Sequence, residues 1–316
     1  AVWRLLVGEE RKFDQFRDLT NGPAGTIVAA GAADITGQGE LGPYIQAFSS
    51  DGKTKWSVRE ATEYKEILEH IIRLGDKYIT VGNVKNYKND FRGISFSSYS
   101  LSGELLSRQT FFDENYDFIV TGLAPMRDDA GVSILGWADN PVDRTDKFSF
   151  LMQVSAEGQM IRKRNFRPGP VNKLLSLTAL PDGSYIATGW IMQDSGRKAG
   201  WVIRMGESGY IMWQRGYRRG KNAVFRNAIR HPVQGFLLIG ESEPFKNQTN
   251  NETKTAAWGM HITDSSEVIW QRFWRSDYDL QAVDAISANG NLLQVLISAK
   301  TIDAKKRDHA RVFSLT

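Results

Sequence analysis

A strand ending in glycine that returns every fifty-odd residues, a turn-plus-aromatic landmark on the same beat, and an almost complete lack of helical periodicity predict an all-β chain. The expected fold is a six-bladed β-propeller with four antiparallel strands per blade and the N-terminal strand completing the last blade. The first landmark recurs as Ile27-Val28-Ala29-Ala30-Gly31, Tyr78-Ile79-Thr80-Val81-Gly82, Val132-Ser133-Ile134-Leu135-Gly136, Tyr185-Ile186-Ala187-Thr188-Gly189 and Phe236-Leu237-Leu238-Ile239-Gly240. A sixth copy, Leu293-Gln294-Val295-Leu296-Ile297, carries Ile where the others have Gly. Steps of 51 to 57 residues fit one four-stranded blade with generous loops.

The second landmark is a tight turn followed by an aromatic: Asp51-Gly52 before Trp56, Ser208-Gly209 before Trp213, Ser265-Ser266 before Trp270. Such turns join hairpin strands. In blades two and three the turns Ser102-Gly103 and Glu157-Gly158 remain, with Leu106 and Ile161, or a neighbour, expected at the Trp position. The sixth blade has no such turn, and its missing strand is expected at the other end of the chain. There Val2-Trp3-Arg4-Leu5-Leu6 matches Ile269-Trp270-Gln271-Arg272-Phe273, and pairing it into the last blade would remove an open sheet edge.

The reading is therefore one domain over residues 1–316, with blades at about 12–60, 61–114, 115–169, 170–221, 222–277 and 278–316 plus 1–11. Glu66-Ile67-Leu68-Glu69-His70-Ile71-Ile72-Arg73-Leu74 has a locally helical pattern, but the repeat places it as an inner strand, and context outweighs propensity.

Composition narrows the function classes. Hydrophobic residues make up 41% and charged residues 24%, as in an ordinary globular protein, and no run of about 18 apolar residues is present to span a membrane. With no cysteine, disulfides, Cys-ligated zinc and thiol catalysis are excluded. The chain begins Ala1-Val2-Trp3 without an initiator Met, which reads as a processed or trimmed sequence.

Gly200-Trp201-Val202-Ile203-Arg204-Met205 through Trp213-Gln214-Arg215-Gly216-Tyr217 to Gly235-Phe236-Leu237-Leu238-Ile239-Gly240 resembles the repeat of secreted bacterial propellers, roughly W-V-x-K-L-D-x-x-G-x-x-x-W-Q-x-x-Y then Y-I-x-x-G. Its G-x-x-x-W element is similar to the docking repeat of quinoprotein-like propellers and of propeller subunits in outer-membrane assembly. The resemblance covers essentially the whole chain and implies architecture, blade docking and an extracytoplasmic bacterial location, periplasmic or secreted. It implies no shared reaction.

In a propeller the tight turns and the long connections lie on opposite faces. The long connections are expected at residues 32–42, 83–93, 137–147, 190–200, 241–256 and 299–309, on the face shared with the inter-blade loops, and function is expected there.

Charge is unevenly spread along the chain. Residues 159–230 hold 14 Lys and Arg against three acids, while the overall net charge is only +4. The inter-blade loops divide alike, with Glu9, Glu10, Asp14, Glu60, Glu63, Glu66, Asp113, Glu114 and Asp117 on one half and Arg167, Lys173, Arg218, Arg219 and Lys221 on the other. A polarised face of that kind can orient a partner, and the basic set is the candidate binding surface for an acidic protein or anionic glycan. A merely solvated surface is the bland counterpart. Nucleic acid is disfavoured, because the aromatics sit at docking positions instead of among the basic loops.

Asp14, Asp117, Asn172 and Asp279 recur at the starts of blades and form the candidate channel mouth. Their commoner role is to tie a strand start by accepting backbone N–H bonds. Other patterns carry little: Gly37-Gln38-Gly39-Glu40-Leu41-Gly42 opens no helix, Asp139, Asp143 and Asp146 lack the order of a calcium loop, and His70, His231, His261 and His309 read as isolated. No cofactor or catalytic residue is assigned. The favoured function is a non-catalytic binding or scaffold module. The alternative is a glycan-processing hydrolase or lyase using carboxylates at the channel mouth.

Overall fold

The computed structural model describes residues 14–86, 88, 90–220, 222–243, 255–276, 279–287, 293–300 and 309–315. The chain divides into two compact units, Ala1–Asn165 and Phe166–Thr316. Strands dominate both, and among the described residues no helix is long and apolar enough to cross a membrane.

The first unit contains three up-and-down antiparallel sheets in chain order. They are β1 (Asp14–Asn21), β2 (Ile27–Asp34), β3 (Leu41–Phe48) and β4 (Thr54–Arg59); β5 (Lys65–Leu74), β6 (Lys77–Lys85), β7 (Arg92–Ser100) and β8 (Leu105–Phe111); and β9 (Asp117–Pro125), β10 (Gly131–Asp139), β11 (Lys147–Ser155) and β12 (Met160–Phe166), whose last residue lies at the boundary. The second unit follows the same plan. Its fourth sheet has β13 (Asn172–Ala179), β14 (Tyr185–Met192), β15 (Lys198–Met205) and β16 (Ile211–Tyr217). The fifth has β17 (Ala223–Arg230), β18 (Phe236–Ser242), β19 (Ala256–Ile262) and β20 (Val268–Trp274). A sixth sheet of β21 (Asp279–Ser287), β22 (Leu293–Lys300) and β23 (His309–Leu315) has three strands among the described residues.

Burial explains why these segments hold as strands. The middle strands are buried almost from end to end, as in β3, β7, β11, β18 and β19, so both of their faces are covered. First strands such as β9 alternate, and fourth strands such as β4 and β16 are largely exposed. Within the first unit β5 packs across β1 to β3 and β9 across β5 to β7; within the second, β17 lies across β13 to β15 and β21 across β17 to β19. The core is thus a series of layers between successive sheets, with Phe96, Phe118 and Phe150 in one and Phe225, Phe236 and Trp258 in another. The helical-looking stretch is β5, as the repeat required.

The repeated glycine has a steric cause. Every first strand bulges by one residue, at Arg17, Glu69, Thr121, Leu175, Arg226 and Val283, and the residue just before the bulge pairs with the landmark position. A Cβ at Gly31, Gly82, Gly189 or Gly240 would lie 1.9–2.3 Å from the carbonyl oxygen of Gln15, Ile67, Lys173 or Val224. Bulges bend and re-aim a strand, and here they need a partner without a side chain. In the sixth sheet Ile297 faces Ala282, so the small residue sits on the other strand.

The aromatic landmark docks one sheet on the next. Trp56 Nε1 donates to Leu101 O at 3.2 Å and Trp213 Nε1 to Asp264 O at 3.0 Å, each reaching the third hairpin of the following sheet. In the second sheet the register selects the neighbour, because Ser107 pairs as Trp56, Trp213 and Trp270 do. Leu106 is 53% exposed and Ile161 is exposed too.

The expected long connections are shorter in the structure. Pairing continues to Asp34↔Leu41, Lys85↔Arg92, Asp139↔Lys147 and Met192↔Lys198, which leaves 35–40, 86–91, 140–146 and 193–197 between strands.

Candidate functional site

The residues expected at the channel mouth act on the backbone around them. Asp117 Oδ1 accepts the Arg92 N–H at 2.9 Å, at the start of β7, and Asp279 Oδ1 accepts the Thr255 N–H at 2.6 Å, just before β19. Both carboxylates therefore tie the third strand of one sheet to the first strand of the next. Asn222, which sequence reasoning missed, makes a longer contact of the same kind to the Lys198 N–H at 3.4 Å. Asp14, whose side chain is only 2% exposed, pairs with Arg59 at 3.1 Å, and the buried Asn172 donates through Nδ2 to Phe166 O at 3.1 Å.

The acidic connections of the first unit are partly neutralised from within. Arg108 on β8 pairs with Glu60 and also donates to Ser97 Oγ and Tyr99 Oη at 3.1 and 3.0 Å, while Lys163 approaches Asp113 at 3.6 Å. Beside Arg108 the Glu66 side chain is almost fully buried, with Oε1 lacking a hydrogen-bond partner. Burial raises its pKa above the ordinary carboxylate range, opposed mainly by the Arg108 charge.

A raised carboxyl pKa stabilises the fold below the unfolded-state value, and that contribution is lost as pH rises through the folded-state value. Glu66→Gln is accordingly expected to flatten the decline in melting temperature above pH 4.5. Thermal melts of both proteins from pH 4 to 9 check this; parallel curves would show that Glu66 does not titrate with folding.

The basic set divides differently from the sequence expectation. Arg167 and Arg218 are exposed on the connections before β13 and β17, and Arg219 is exposed but tethered, its carbonyl accepting from Ser242 and its Nε reaching Gln271 at 3.3 Å. Lys221 lies outside the described residues. Lys173 belongs instead to a half-buried group with Trp190, Lys198 and Arg226.

Register builds that group. Lys173 pairs with Trp190 and Trp190 with Gly200, while Lys198 pairs with Met192, two residues along β14 from Trp190. Side chains two apart share a sheet face, so Lys173, Trp190 and Lys198 project from one surface of the fourth sheet. That surface looks at the fifth sheet, since a Cβ on Gly200 would sit 2.7 Å from the Phe225 ring of β17. Lys198 Nζ lies 4.3 Å from the Trp190 ring centroid, as a cation over a π face. Arg226, the bulge residue of β17 in the fifth sheet, is held by both oxygens of Glu241 at 2.6 and 2.7 Å, and Glu241 pairs with Ala257 on the face of that sheet turned to the sixth.

Of the four charged side chains here, three are cationic. Burial, then repulsion from Lys198 and Arg226, lowers the Lys173 pKa below the usual lysine range. Lys173 and Lys198 place two basic side chains beside the Trp190 ring on one sheet surface. Sequence reasoning found Lys173 alone; Lys198, Arg226, Trp190 and Glu241 required the bulge and the strand register.

Two other groups correct the sequence reading. His231 and His261 are not isolated, because their rings stack at 3.9 Å in the fifth sheet. Asp139 pairs with Lys147 at 3.1 Å, Asp146 accepts the Tyr116 hydroxyl at 2.5 Å, and Asp143 caps Thr145, so the three acids are engaged separately. The Gly37 and Gly39 amides both donate to Asp34, making that glycine run a loop around one carboxylate.

No protein-family model matches the sequence, and no curated protein does. Solved structures do resemble the fold. The acylaminoacyl peptidase of Pyrococcus horikoshii aligns at a TM-score of 0.51 and 11% identity over 95% of this chain, which spans 45% of the peptidase. A variant of the Synechocystis apocarotenoid oxygenase aligns at 0.50 and 11% identity, over 95% of this chain and 71% of that one. The β-propeller domain of the trilobed protease from Pyrococcus furiosus gives 0.45 and 11% identity over 81% and 69%. At such identities the likeness concerns the fold alone.

Proposed function

We propose that this chain is a six-bladed β-propeller serving as a binding module, which takes an anionic group of a protein or glycan partner at Lys173, Lys198 and Arg226. The observation that carries this reading is that half-buried Lys173 and Lys198 share one surface of the fourth sheet with Trp190, while the Arg226 charge also acts on Lys173. Like charges held together out of water disfavour their own charged forms, and an anion placed among them relieves both burial and repulsion. Trp190 supports the glycan form of the reading, because an indole face packs against sugar rings as well as under a cation.

The test compares binding of a sulfated glycan and of an acidic peptide to three proteins at low and high salt: wild type, Lys173→Glu with Lys198→Glu, and Arg218→Glu with Arg219→Glu. Loss confined to the first variant, with at least about a tenfold weakening in low salt, is the expected result. Loss confined to the second would move the site to the exposed connections.

The second reading is a glycan-processing hydrolase or lyase, and it rests on Glu66, whose buried carboxyl would be the acid. Appearance of new reducing ends with wild type, absent with Glu66→Gln, would favour it.

A further inference from the structure

We propose that a cavity between the fourth and fifth sheets, at their turn end, binds a free α-amino acid with an apolar side chain, its carboxylate on Arg204 and its ammonium on Asp182. The site is separate from Lys173, which stands at the opposite end of β13, and the proposal does not rest on anion binding there.

Register places the walls. Arg204 on β15 shares a face with Val202, which packs in the layer between these two sheets, and Arg230 on β17 pairs with Phe236 of the same layer. The two guanidinium carbons lie 5.4 and 5.1 Å from the centroid of the buried Phe236 ring. With the hairpin turns after β13 and β19 they enclose a cavity of about 270 Å³ lined by Leu180, Pro181, Asp182, Arg204, Arg230 and Asp264. That is just below the roughly 300–1,000 Å³ of sites for drug-sized ligands and suits a smaller molecule. The second turn is held from behind, because Trp213 Nε1 donates to Asp264 O at 3.0 Å, and Tyr217 Oη and Arg215 Nη1 donate to Ser266 O at 2.7 and 3.0 Å. A wall fixed in this way needs little ordering when a ligand enters.

Charge then selects the ligand. Asp182 Oδ2 accepts from Arg204 Nη2 at 2.7 Å, and Arg230 forks onto Asp264. Hydrogen bonds from Ser184 to Asp182 and from Arg230 to Asp264 hold both carboxyls below the usual carboxylate range, so the cavity carries two positive and two negative charges. A ligand of one sign meets repulsion as well as attraction there, whereas adjacent charges of both signs match the neighbouring Arg204 and Asp182. Arg204 uses one N–H on Asp182 and makes no other hydrogen bond among the described residues, although only 11% of its side chain is exposed. Its other donors are left for a carboxylate. Asp182 is 60% exposed and offers an ionised oxygen to the ammonium, while Leu180 and Pro181 give the apolar side chain a wall. Arg204 also departs from the repeat. It pairs with the residue three places before the landmark glycine, where the other four-stranded sheets have Ala47, Ser98, Gln153 and His261.

The test titrates L-leucine into the full chain by calorimetry, beside N-acetylleucine, which lacks the ammonium, and leucinamide, which lacks the carboxylate. Leucine should bind, and each analogue should bind at least about tenfold more weakly. Asp182→Asn keeps an oxygen for the Ser184 N–H and removes the charge, so it should weaken leucine by about the same factor and leave N-acetylleucine unchanged. Arg204→Lys should weaken both of these ligands alike. Thermal melts establish that each variant remains folded. Lys173→Glu with Lys198→Glu should bind leucine as wild type does, which keeps this site distinct from the anion site. No leucine binding, equal affinity for either analogue, or leucine binding unchanged by Asp182→Asn would overturn the proposal, and the two ion pairs would then serve only to join the sheets.

Discussion

Gly189→Ala and Gly240→Ala should each cost about 3 kcal/mol or more of stability, while Gly216→Ala should stay within about 0.5 kcal/mol of wild type. The new methyl groups at 189 and 240 would meet the carbonyl oxygens of Lys173 and Val224 at 1.9 and 2.0 Å. These are backbone atoms fixed by a bulge, so no rotamer change relieves the overlap, and the ladder must shift. At Gly216 the added carbon would be 3.8 Å from the Ala199 Cβ, an ordinary contact, on an exposed part of β16. Urea unfolding with unchanged m-values measures the differences. Equal midpoints for all three variants would mean that the bulges yield easily and that the glycines mark the period for another reason.

Gly189→Ala carries a functional consequence as well. The carbonyl it would displace belongs to Lys173, so the amine should move away from Lys198 even in molecules that fold. Gly240→Ala presses on Val224, two residues before Arg226. Anion binding should therefore weaken in Gly189→Ala beyond what its loss of stability explains.

Much of the fold was legible because a propeller-like repeat writes the same steric demand many times. Gly31, Gly82, Gly189 and Gly240 are each required by a bulged partner, so the period survives even where side chains vary. The docking tryptophans are legible for a like reason, since each indole N–H must find a carbonyl on the following sheet. Substitution at that position could be read only to within a neighbour, because a shift of one residue separates Leu106 from Ser107 and only the hairpin register resolves it.

The candidate site was less legible because it does not repeat. Lys173 stood out in a basic stretch, but Lys198 reaches Trp190 only because pairing continues to Met192, and only the register shows Arg226 to be the extra, bulged residue of β17. The acidic half was misleading in the opposite sense. Glu60 and Asp113 look like open surface charge in the sequence, yet each has a basic partner on a fourth strand.

Removal of residues 1–8 should lower the melting temperature by roughly 10 °C or more and promote association of the chain with itself. Those residues lie outside the described part of the structure, and their proposed place rests on two observations. Five sheets have four strands, whereas the sixth has three among the described residues and ends on β23. The stretch Val2-Trp3-Arg4-Leu5-Leu6 also repeats the apolar-Trp-polar order of Ile269-Trp270-Gln271, part of the fourth strand of the fifth sheet. Pairing it along β23 would satisfy that strand's outer N–H and C=O groups. Without it β23 presents an edge, and an open edge recruits another chain. A synthetic peptide of residues 1–11 added to the shortened protein should restore the melting temperature and the monomer. Unchanged melting and no association after the deletion would assign the N-terminal segment to some other place.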